Sequence, residues 1–182
     1  MIRVLVVDDS PVVRELLVHI LDAAPGMKVV GTAADGQQAI EAARELKPDV
    51  ITMDIYMPHM DGLQATRTIM ETDPVPVVIV SASYESKEVS KAFKCVEAGA
   101  LAVIGKPLGL AHPDYGATAR QLVNTVRAMS EVRVVRRWPP RGSTEATLPT
   151  RPCPGEDAHA PIKAVTIGAS TGGPAALHAI LV

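Results

Sequence analysis

The sequence has few aromatic residues, and its formal charges nearly cancel. Among 182 residues, only 3% are aromatic, and the formal net charge is −2. An interior built from this sequence must therefore be mainly aliphatic. A nearly neutral chain gives no long-range attraction for polyanions or anionic lipids. We therefore expect no nucleic acid and no membrane surface among the partners of this protein.

Cysteines and long apolar runs are also scarce. Cys95 and Cys153 lie far apart without a Cys-x-x-Cys pair, which favours reduced thiols, although one disulfide between them stays open. Asp8 and Asp9 interrupt the first apolar run, and no 18 apolar residues follow one another. These features argue against a signal peptide and against a membrane-spanning helix. They predict a cytoplasmic protein without direct membrane insertion.

Up to about residue 130, short apolar runs alternate with amphipathic stretches. This alternation is typical of a parallel sheet with helices on both faces, an α/β fold. Asp35 and Asp114 precede two of the amphipathic stretches and are candidate helix N-caps. We predict strands at 2–7, 28–32, 50–53, 75–80 and 101–104, and helices at 11–23, 36–46, 63–71, 87–98 and 115–129. The prediction for residues 1–130 is a doubly wound, five-stranded parallel sheet.

The composition changes after this first domain. Residues 131–161 hold six of the 15 prolines and few large apolar groups, which predicts a semi-extended linker. A strand pattern resumes at 163–168 and leads into a Gly-rich turn and the start of a helix. One strand and part of a helix cannot bury both of their faces. Residues 162–182 are therefore predicted to be the incomplete beginning of a second α/β domain.

Polar residues follow the predicted strands at positions that share one edge of the sheet. Asp8 and Asp9 follow the first strand, Asp54 the third, Ser81 the fourth and Lys106 the fifth. Ligand sites in open parallel sheets lie beyond the carboxyl ends of the strands. Each aspartate alone is explained more simply as a cap or turn residue. Three converging carboxylates, however, would repel one another without a cation, and oxygen ligands suit Mg²⁺.

With Mg²⁺ at this edge, the carboxylate of Asp54 could attack a phosphoryl donor, mainly through positioning and charge neutralisation. Lys106 would supply positive charge, and Ser81 would offer its hydroxyl to a phosphoryl oxygen. The backbone carbonyl of Tyr56 is placed to complete the metal shell. Pro107 permits a cis peptide bond that would aim the lysine inward.

Four motifs carry a family resemblance. They are Val-Asp-Asp-Ser-Pro at 7–11, Met-Asp-Ile-Tyr-Met-Pro-His-Met-Asp-Gly at 53–62, Val-Ser-Ala at 80–82 and Lys-Pro at 106–107. Together they make residues 1 to about 130 resemble the response regulator receiver domain, which has a flavodoxin-like fold. The resemblance implies that Asp54 is the phosphorylation site, that Asp9 and Asp54 bind Mg²⁺ directly, and that Asp8 assists. It also implies that Ser81 and Lys106 contact the phosphoryl group, and that a sensor histidine kinase is the donor.

One position departs from the receiver pattern. Many receivers carry Tyr or Phe three residues before the lysine, and the rotamer of that ring changes on phosphorylation. This sequence has Val103 there. The usual aromatic movement is therefore absent, and the route by which the signal leaves the domain stays open.

The Gly-rich turn at 168–172 fits the G-x-S-x-G nucleophile elbow between a strand and a helix. Taken alone, the pattern is explained more simply as a tight structural turn. A phosphate cradle at the helix N-terminus stays open, although neither of the common nucleotide-binding glycine motifs is present. A receiver, a Pro-rich linker and Ile-Gly-Ala-Ser-Thr-Gly-Gly-Pro at 167–174 resemble the chemotaxis protein-glutamate methylesterases. The resemblance implies that Ser170 is the nucleophile that demethylates methyl-accepting chemoreceptors, with glutamine deamidation in some members.

A serine nucleophile needs a base and a carboxylate that orients the base. After Ser170 the sequence has only His178, which we interpret as a helix-face residue, and no acid. The family's His and Asp lie further along the chain, so we expect this chain to be inactive as an esterase.

Three outputs are considered. If the receiver regulates an attached methylesterase, further coding sequence with His and Asp should follow Val182. If it is a phosphorylation-dependent binding module that acts through a partner, the chain should be complete. A transcription factor would need a basic recognition helix after the linker, where the Ser170 turn stands instead.

Overall fold

The computed structural model describes residues 1–82 and 89–135, which form an α/β domain. Its elements are β1 (Ile2–Val7), α1 (Pro11–Asp22), β2 (Met27–Ala33), α2 (Gly36–Leu46), β3 (Val50–Met53), α3 (Gly62–Thr72), β4 (Val77–Ser81), α4 (Val89–Ala98), β5 (Ala102–Gly105) and α5 (Tyr115–Ser130). All five predicted strands and all five predicted helices are present, with bounds close to those predicted. The predicted start of α4 at residue 87 lies outside the described residues.

The five strands are parallel and lie in the order β2-β1-β3-β4-β5. This is the flavodoxin-like, doubly wound order, which confirms the predicted fold. The chain runs outward from β1 to β2 and then crosses back to β3, so its direction of winding reverses between β1 and β3. Val7 pairs with Met53 across these two strands. The residues that follow them, Asp8 and Asp54, therefore leave the sheet side by side.

Two apolar layers cover the sheet, one on each face. One layer packs α1 and α5 on the strands through Leu17, Ile20, Leu21, Leu122 and Val126. The other packs α2, α3 and α4 through Ala39, Ile40, Ala43, Ala65, Ile69 and Cys95. Because the central strands are covered on both faces, β3 and β4 are buried along their whole length. The rigid sheet fixes the positions of the loops at its carboxyl edge.

The helix ends agree with the predictions in part. Asp35 Oδ1 accepts a hydrogen bond from the backbone N–H of Gln38 at 2.8 Å, which confirms that cap. The predicted capping role of Asp114 is wrong, because its side chain makes no capping hydrogen bond. Its backbone, at φ −89° and ψ 6°, lacks the extended conformation that an N-cap normally has. Asp61, which the sequence analysis did not single out, caps α3.

Several predictions concern parts of the chain outside the described residues. The helix α5 ends at Ser130, where the predicted linker begins. Beyond residue 135, the linker and the predicted second domain at 162–182 lie outside the description and stay predictions. Within the described ranges, no helix combines the length and apolarity that crossing a membrane requires.

Candidate functional site

The turn after β1 carries two aspartates with different environments. Asp8 is completely buried, whereas Asp9 is exposed. Asp8 Oδ1 accepts a hydrogen bond from the backbone N–H of Ser10 at 3.0 Å. The backbone carbonyls of Asp8 and Asp9 both accept hydrogen bonds from the guanidinium of Arg14 on α1. The turn is therefore held through its side chain and through its backbone.

Asp54 follows β3 and is 4% exposed. Its backbone N–H donates to the carbonyl of Val7 at 2.9 Å, which ties it to the neighbouring strand. Its Oδ1 accepts from the backbone N–H of Ile55 at 2.7 Å. One carboxylate oxygen is thus fixed locally, and the other points towards Lys106.

Gly62 brings the start of α3 against the backbone of Asp54. Its N–H donates to the carbonyl of Ile55 at 2.9 Å. A Cβ at this position would collide with the carbonyl oxygen of Asp54. Since that oxygen belongs to a backbone paired with β1, it cannot move away easily. The position requires glycine because of this close approach.

Lys106 joins the two buried carboxylates. Its Nζ lies 2.8 Å from Asp54 Oδ2 and 2.7 Å from Asp8 Oδ2. Its backbone N–H donates to the carbonyl of Ser81 at 3.0 Å, which anchors the loop after β5 to β4. The Lys106–Pro107 bond is trans, so the cis bond that the sequence permits is not formed. The ammonium reaches the carboxylates without it.

Burial and charge shift the pKa values in this cluster. Burial raises the pKa of the Asp8 carboxyl above its ordinary value, although the ammonium of Lys106 and the N–H of Ser10 act in the opposite direction. The neighbouring charge of Asp54 adds to the rise. For Lys106, burial alone would lower the pKa, but Asp54 and Asp8 outweigh it and the pKa is raised. Lys106 is therefore protonated and positively charged at neutral pH.

The donor set fits a hard divalent cation. Carboxylate oxygens of Asp8, Asp9 and Asp54 all lie within 4.8 Å of one another. Asp8 Oδ2 is buried, lies 2.7 Å from Lys106 Nζ in an ion pair, and accepts no hydrogen bond within the described residues. Three ionised carboxylates and one ammonium leave a formal charge of −2. A buried, incompletely satisfied oxygen in such a cluster suits a cation that prefers oxygen ligands.

The remaining predicted residues are placed as follows. Ser81 ends β4, is 4% exposed and pairs in register with Gly105, so it lies at the same edge as the carboxylates. Tyr56 lies in the loop after β3 with an exposed side chain. Val103 packs partly buried against the layer of α2, α3 and α4. Ser170 and His178 lie outside the described residues.

The sequence analysis missed Arg14 and Gly62. The Asp-Gly pair at 61–62 was a usable signal, because Asp can cap a helix and Gly can tolerate a close approach. For Arg14 there was no comparable signal. Its role depends on which way the first turn of α1 faces relative to the acidic turn.

A family model and several known proteins match this chain. The model of the response regulator receiver domain matches residues 4–112. A protein-glutamate methylesterase/protein-glutamine glutaminase of Nitrosospira multiformis is 54% identical over 182 residues, which are 100% of this chain and 51% of that protein. The chain therefore spans about half the length of this curated relative.

Solved structures agree with the family model. The response regulator domain of Thermotoga maritima CheB is 43% identical, with a TM-score of 0.66, over 73% of this chain and 98% of that chain. A chain of the CheX-CheY-BeF3-Mg complex from Borrelia burgdorferi is 30% identical, with a TM-score of 0.59, over 70% of this chain and 87% of that chain.

Proposed function

Because the chain belongs to the response regulator receiver domain family, we propose that Asp54 accepts a phosphoryl group from a sensor histidine kinase. In this proposal Asp8, Asp9, Asp54 and the backbone carbonyl of Tyr56 hold Mg²⁺. The observation that carries the proposal is the contact of one ammonium, Lys106, with two buried carboxylates beside a third acid.

The side chains have separable roles in the proposed transfer. A carboxylate oxygen of Asp54 forms the bond to phosphorus while the bond between phosphorus and the donor's imidazole nitrogen breaks. The Ile55 N–H holds Asp54 Oδ1 and so limits rotation of the carboxylate. Lys106 and the hydroxyl of Ser81 contact the incoming phosphoryl oxygens. Mg²⁺ held by the acidic cluster would supply positive charge that offsets the charge of the phosphoryl oxygens.

The likeness over the whole chain supports a proposal for the output of the domain. We assign the domain to the regulation of an attached protein-glutamate methylesterase, with Ser170 as its nucleophile and methyl-accepting chemoreceptors as its substrates. The support is the 54% identity with a methylesterase/glutaminase across all 182 residues. In this account residues 131–161 link the receiver to the catalytic domain that begins near residue 162. The widely separated cysteines fit the reducing cytoplasm, where we place the protein.

Mass spectrometry of the intact chain tests the phosphorylation. Acetyl phosphate with Mg²⁺ should add one acid-labile phosphoryl group to the wild type and none to Asp54→Asn. Asp114→Asn is the matched control, because Asp114 is an exposed aspartate without a capping hydrogen bond, and it should be labelled like the wild type. Persistent labelling of Asp54→Asn would refute the assignment.

Sequencing the gene beyond the codon of Val182 tests whether the receiver regulates an attached methylesterase. Coding sequence that contains a His and an Asp would support the methylesterase assignment. A stop codon there would favour the alternative, a binding module that acts through a partner.

A further inference from the structure

We propose that Arg14 is a positioning residue of the acidic cluster, which holds the turn 8–10 in the conformation that binds Mg²⁺. This inference rests on the proposed function, since it assumes that the cluster binds the cation. Arg14 lies on α1 and is outside the set of residues that the receiver motifs single out.

The guanidinium of Arg14 contacts two consecutive backbone carbonyls. Its Nη1 donates to the carbonyl of Asp8 at 2.6 Å and to the carbonyl of Asp9 at 3.0 Å. These are hydrogen bonds from a charged donor, which are stronger than those between neutral groups. One nitrogen therefore fixes the orientation of the two peptide units that carry the acids.

The peptide unit between Asp9 and Ser10 is held at both ends. Arg14 holds its carbonyl, and Asp8 Oδ1 accepts from its N–H at 3.0 Å. A rotation of this peptide would break both hydrogen bonds and release the Asp8 carboxylate. Since Asp8 Oδ1 is engaged in this way, its Oδ2 is left facing Lys106. The contact at the backbone thus sets the direction of a carboxylate oxygen.

Arg14 is anchored on a rigid element. Its own backbone N–H donates to the carbonyl of Ser10 at 2.9 Å in the first turn of α1. Leu17 and Leu21 bury the same helix against the sheet. A side chain on a packed helix can hold a neighbouring turn more accurately than one on a loop.

Arg14 and Lys106 differ in what their charges contact. Lys106 pairs with the carboxylates themselves and so occupies oxygens that a cation needs. Arg14 contacts carbonyls and leaves the carboxylates free of its own hydrogen bonds. It can therefore offset part of the negative charge of the turn without competing for the ligand oxygens.

The test is a calorimetric Mg²⁺ titration of the 182-residue chain. Groups that orient metal ligands typically change affinity by 10–100-fold when mutated, so Arg14→Gln should bind Mg²⁺ about tenfold more weakly. Arg14→Lys keeps the charge on a side chain that is one bond shorter, and it should also bind more weakly than the wild type. The control is Arg44→Gln, an exposed arginine in the last turn of α2, which should bind like the wild type.

A second readout separates positioning from general destabilisation. In acetyl phosphate labelling, the Mg²⁺ concentration that gives half the maximal rate should rise by the factor found in the titration. The rate at saturating Mg²⁺ should return close to that of the wild type. A role in stability alone would lower the unfolding temperature in EDTA and leave the Mg²⁺ affinity of the folded protein unchanged.

The outcomes distinguish this inference from the proposed function. Wild-type affinity in either folded Arg14 variant overturns the inference and leaves the metal site intact. Arg14→Lys carries the comparison if Arg14→Gln does not fold. Failure of the wild type and of Arg44→Gln to bind Mg²⁺ overturns the proposed metal site and the inference with it.

Discussion

The two ends of the parallel sheet place aspartates in opposite environments. At the amino end, Asp22 accepts from the backbone N–H of Val29 at 2.7 Å and pairs with Lys28 at 2.9 Å. These partners lower the pKa of Asp22. At the carboxyl end, Asp8 is completely buried, and burial raises its pKa although Lys106 is close.

One of these aspartates stabilises the fold, and the other destabilises it at the candidate site. A carboxylate whose pKa is lowered by folding stabilises the fold when it is ionised, and one whose pKa is raised destabilises it. Asp22 therefore strengthens the end of the sheet that has no candidate site. Asp8 weakens the other end, where a cation would supply the missing charge. Perturbed groups of this second kind cluster at functional sites.

The largest effect is expected at Gly62, where the carboxyl end is most tightly packed. Gly62→Ala would force the new methyl group against the carbonyl of Asp54. We expect it to lower the free energy of unfolding by about 3 kcal/mol, the upper part of the range for overpacking. Urea denaturation measures this value.

The matched control is Gly109→Ala, since a Cβ at Gly109 has no neighbour within 4 Å. It should change the free energy of unfolding by less than about 0.5 kcal/mol. Equal effects of the two substitutions would show that the approach to Asp54 is not tight.

Asp8→Asn should change the free energy of unfolding and the Mg²⁺ affinity in opposite directions. The pKa of Asp8 in the folded protein lies above 3.8, the ordinary value of an aspartate, so the folded state binds the proton more tightly than the unfolded state. Ionised Asp8 therefore costs stability at neutral pH, and Asp8→Asn should unfold at a higher urea concentration in EDTA at pH 7. The difference should shrink as the pH falls and vanish well below pH 3.8, where the carboxyl is protonated in the folded and the unfolded state. Mg²⁺ affinity should fall in the same variant, and a less stable variant in EDTA would contradict the assignment.

Thr52 adds a buried polar atom beneath the carboxyl end. It lies in β3, two residues before Asp54, and its Oγ1 is buried without a hydrogen bond in the described part of the chain. Replacing an unsatisfied hydroxyl with a methyl group of similar shape removes a desolvation penalty of about 1 kcal/mol. Thr52→Val should therefore raise the free energy of unfolding by about that amount. A clear loss of stability would reveal a partner for the hydroxyl, such as a buried water.

The smallest effect is expected at Asp22. Its pKa is lowered by folding, so its contribution is present above the unfolded value of 3.8 and is lost as the pH falls through the folded value. Asp22→Asn should lower the free energy of unfolding at pH 7 by a few tenths of a kcal/mol, as for other exposed pairs. The loss should vanish in acid, and a variant more stable than the wild type at pH 7 would remove the contrast with Asp8.

The order of strands and helices could be predicted because it depends on local patterns. Apolar runs such as 4–7 and 77–80 become buried strands, and polar residues after them fall on one edge. Asp8, Asp54 and Lys106 were found in this way. Their distances could be anticipated only roughly, since they depend on the register of β1 against β3.

The rest of the site depends on contacts between distant backbone and side-chain atoms. The contact of Arg14 with the acidic turn and the approach of Gly62 to Asp54 are set by how α1 and α3 dock on the sheet. The failed cap at Asp114 has a local cause, because the residue type was suitable and the backbone angles were not. The preference of a residue type for a helix, a strand or a cap predicts neither how the helices dock nor the backbone angles at one position.

The most direct test of the account is the stability of the wild type with and without Mg²⁺. A ligand that binds only the folded state at ten times its dissociation constant adds about 1.4 kcal/mol to the free energy of unfolding. We predict that Mg²⁺ raises the urea midpoint of the wild type in this way, relative to NaCl of equal ionic strength, and that Asp8→Asn loses most of the increase. An identical midpoint in MgCl₂ and NaCl would contradict the claim that the carboxyl end of the sheet is built to hold a cation.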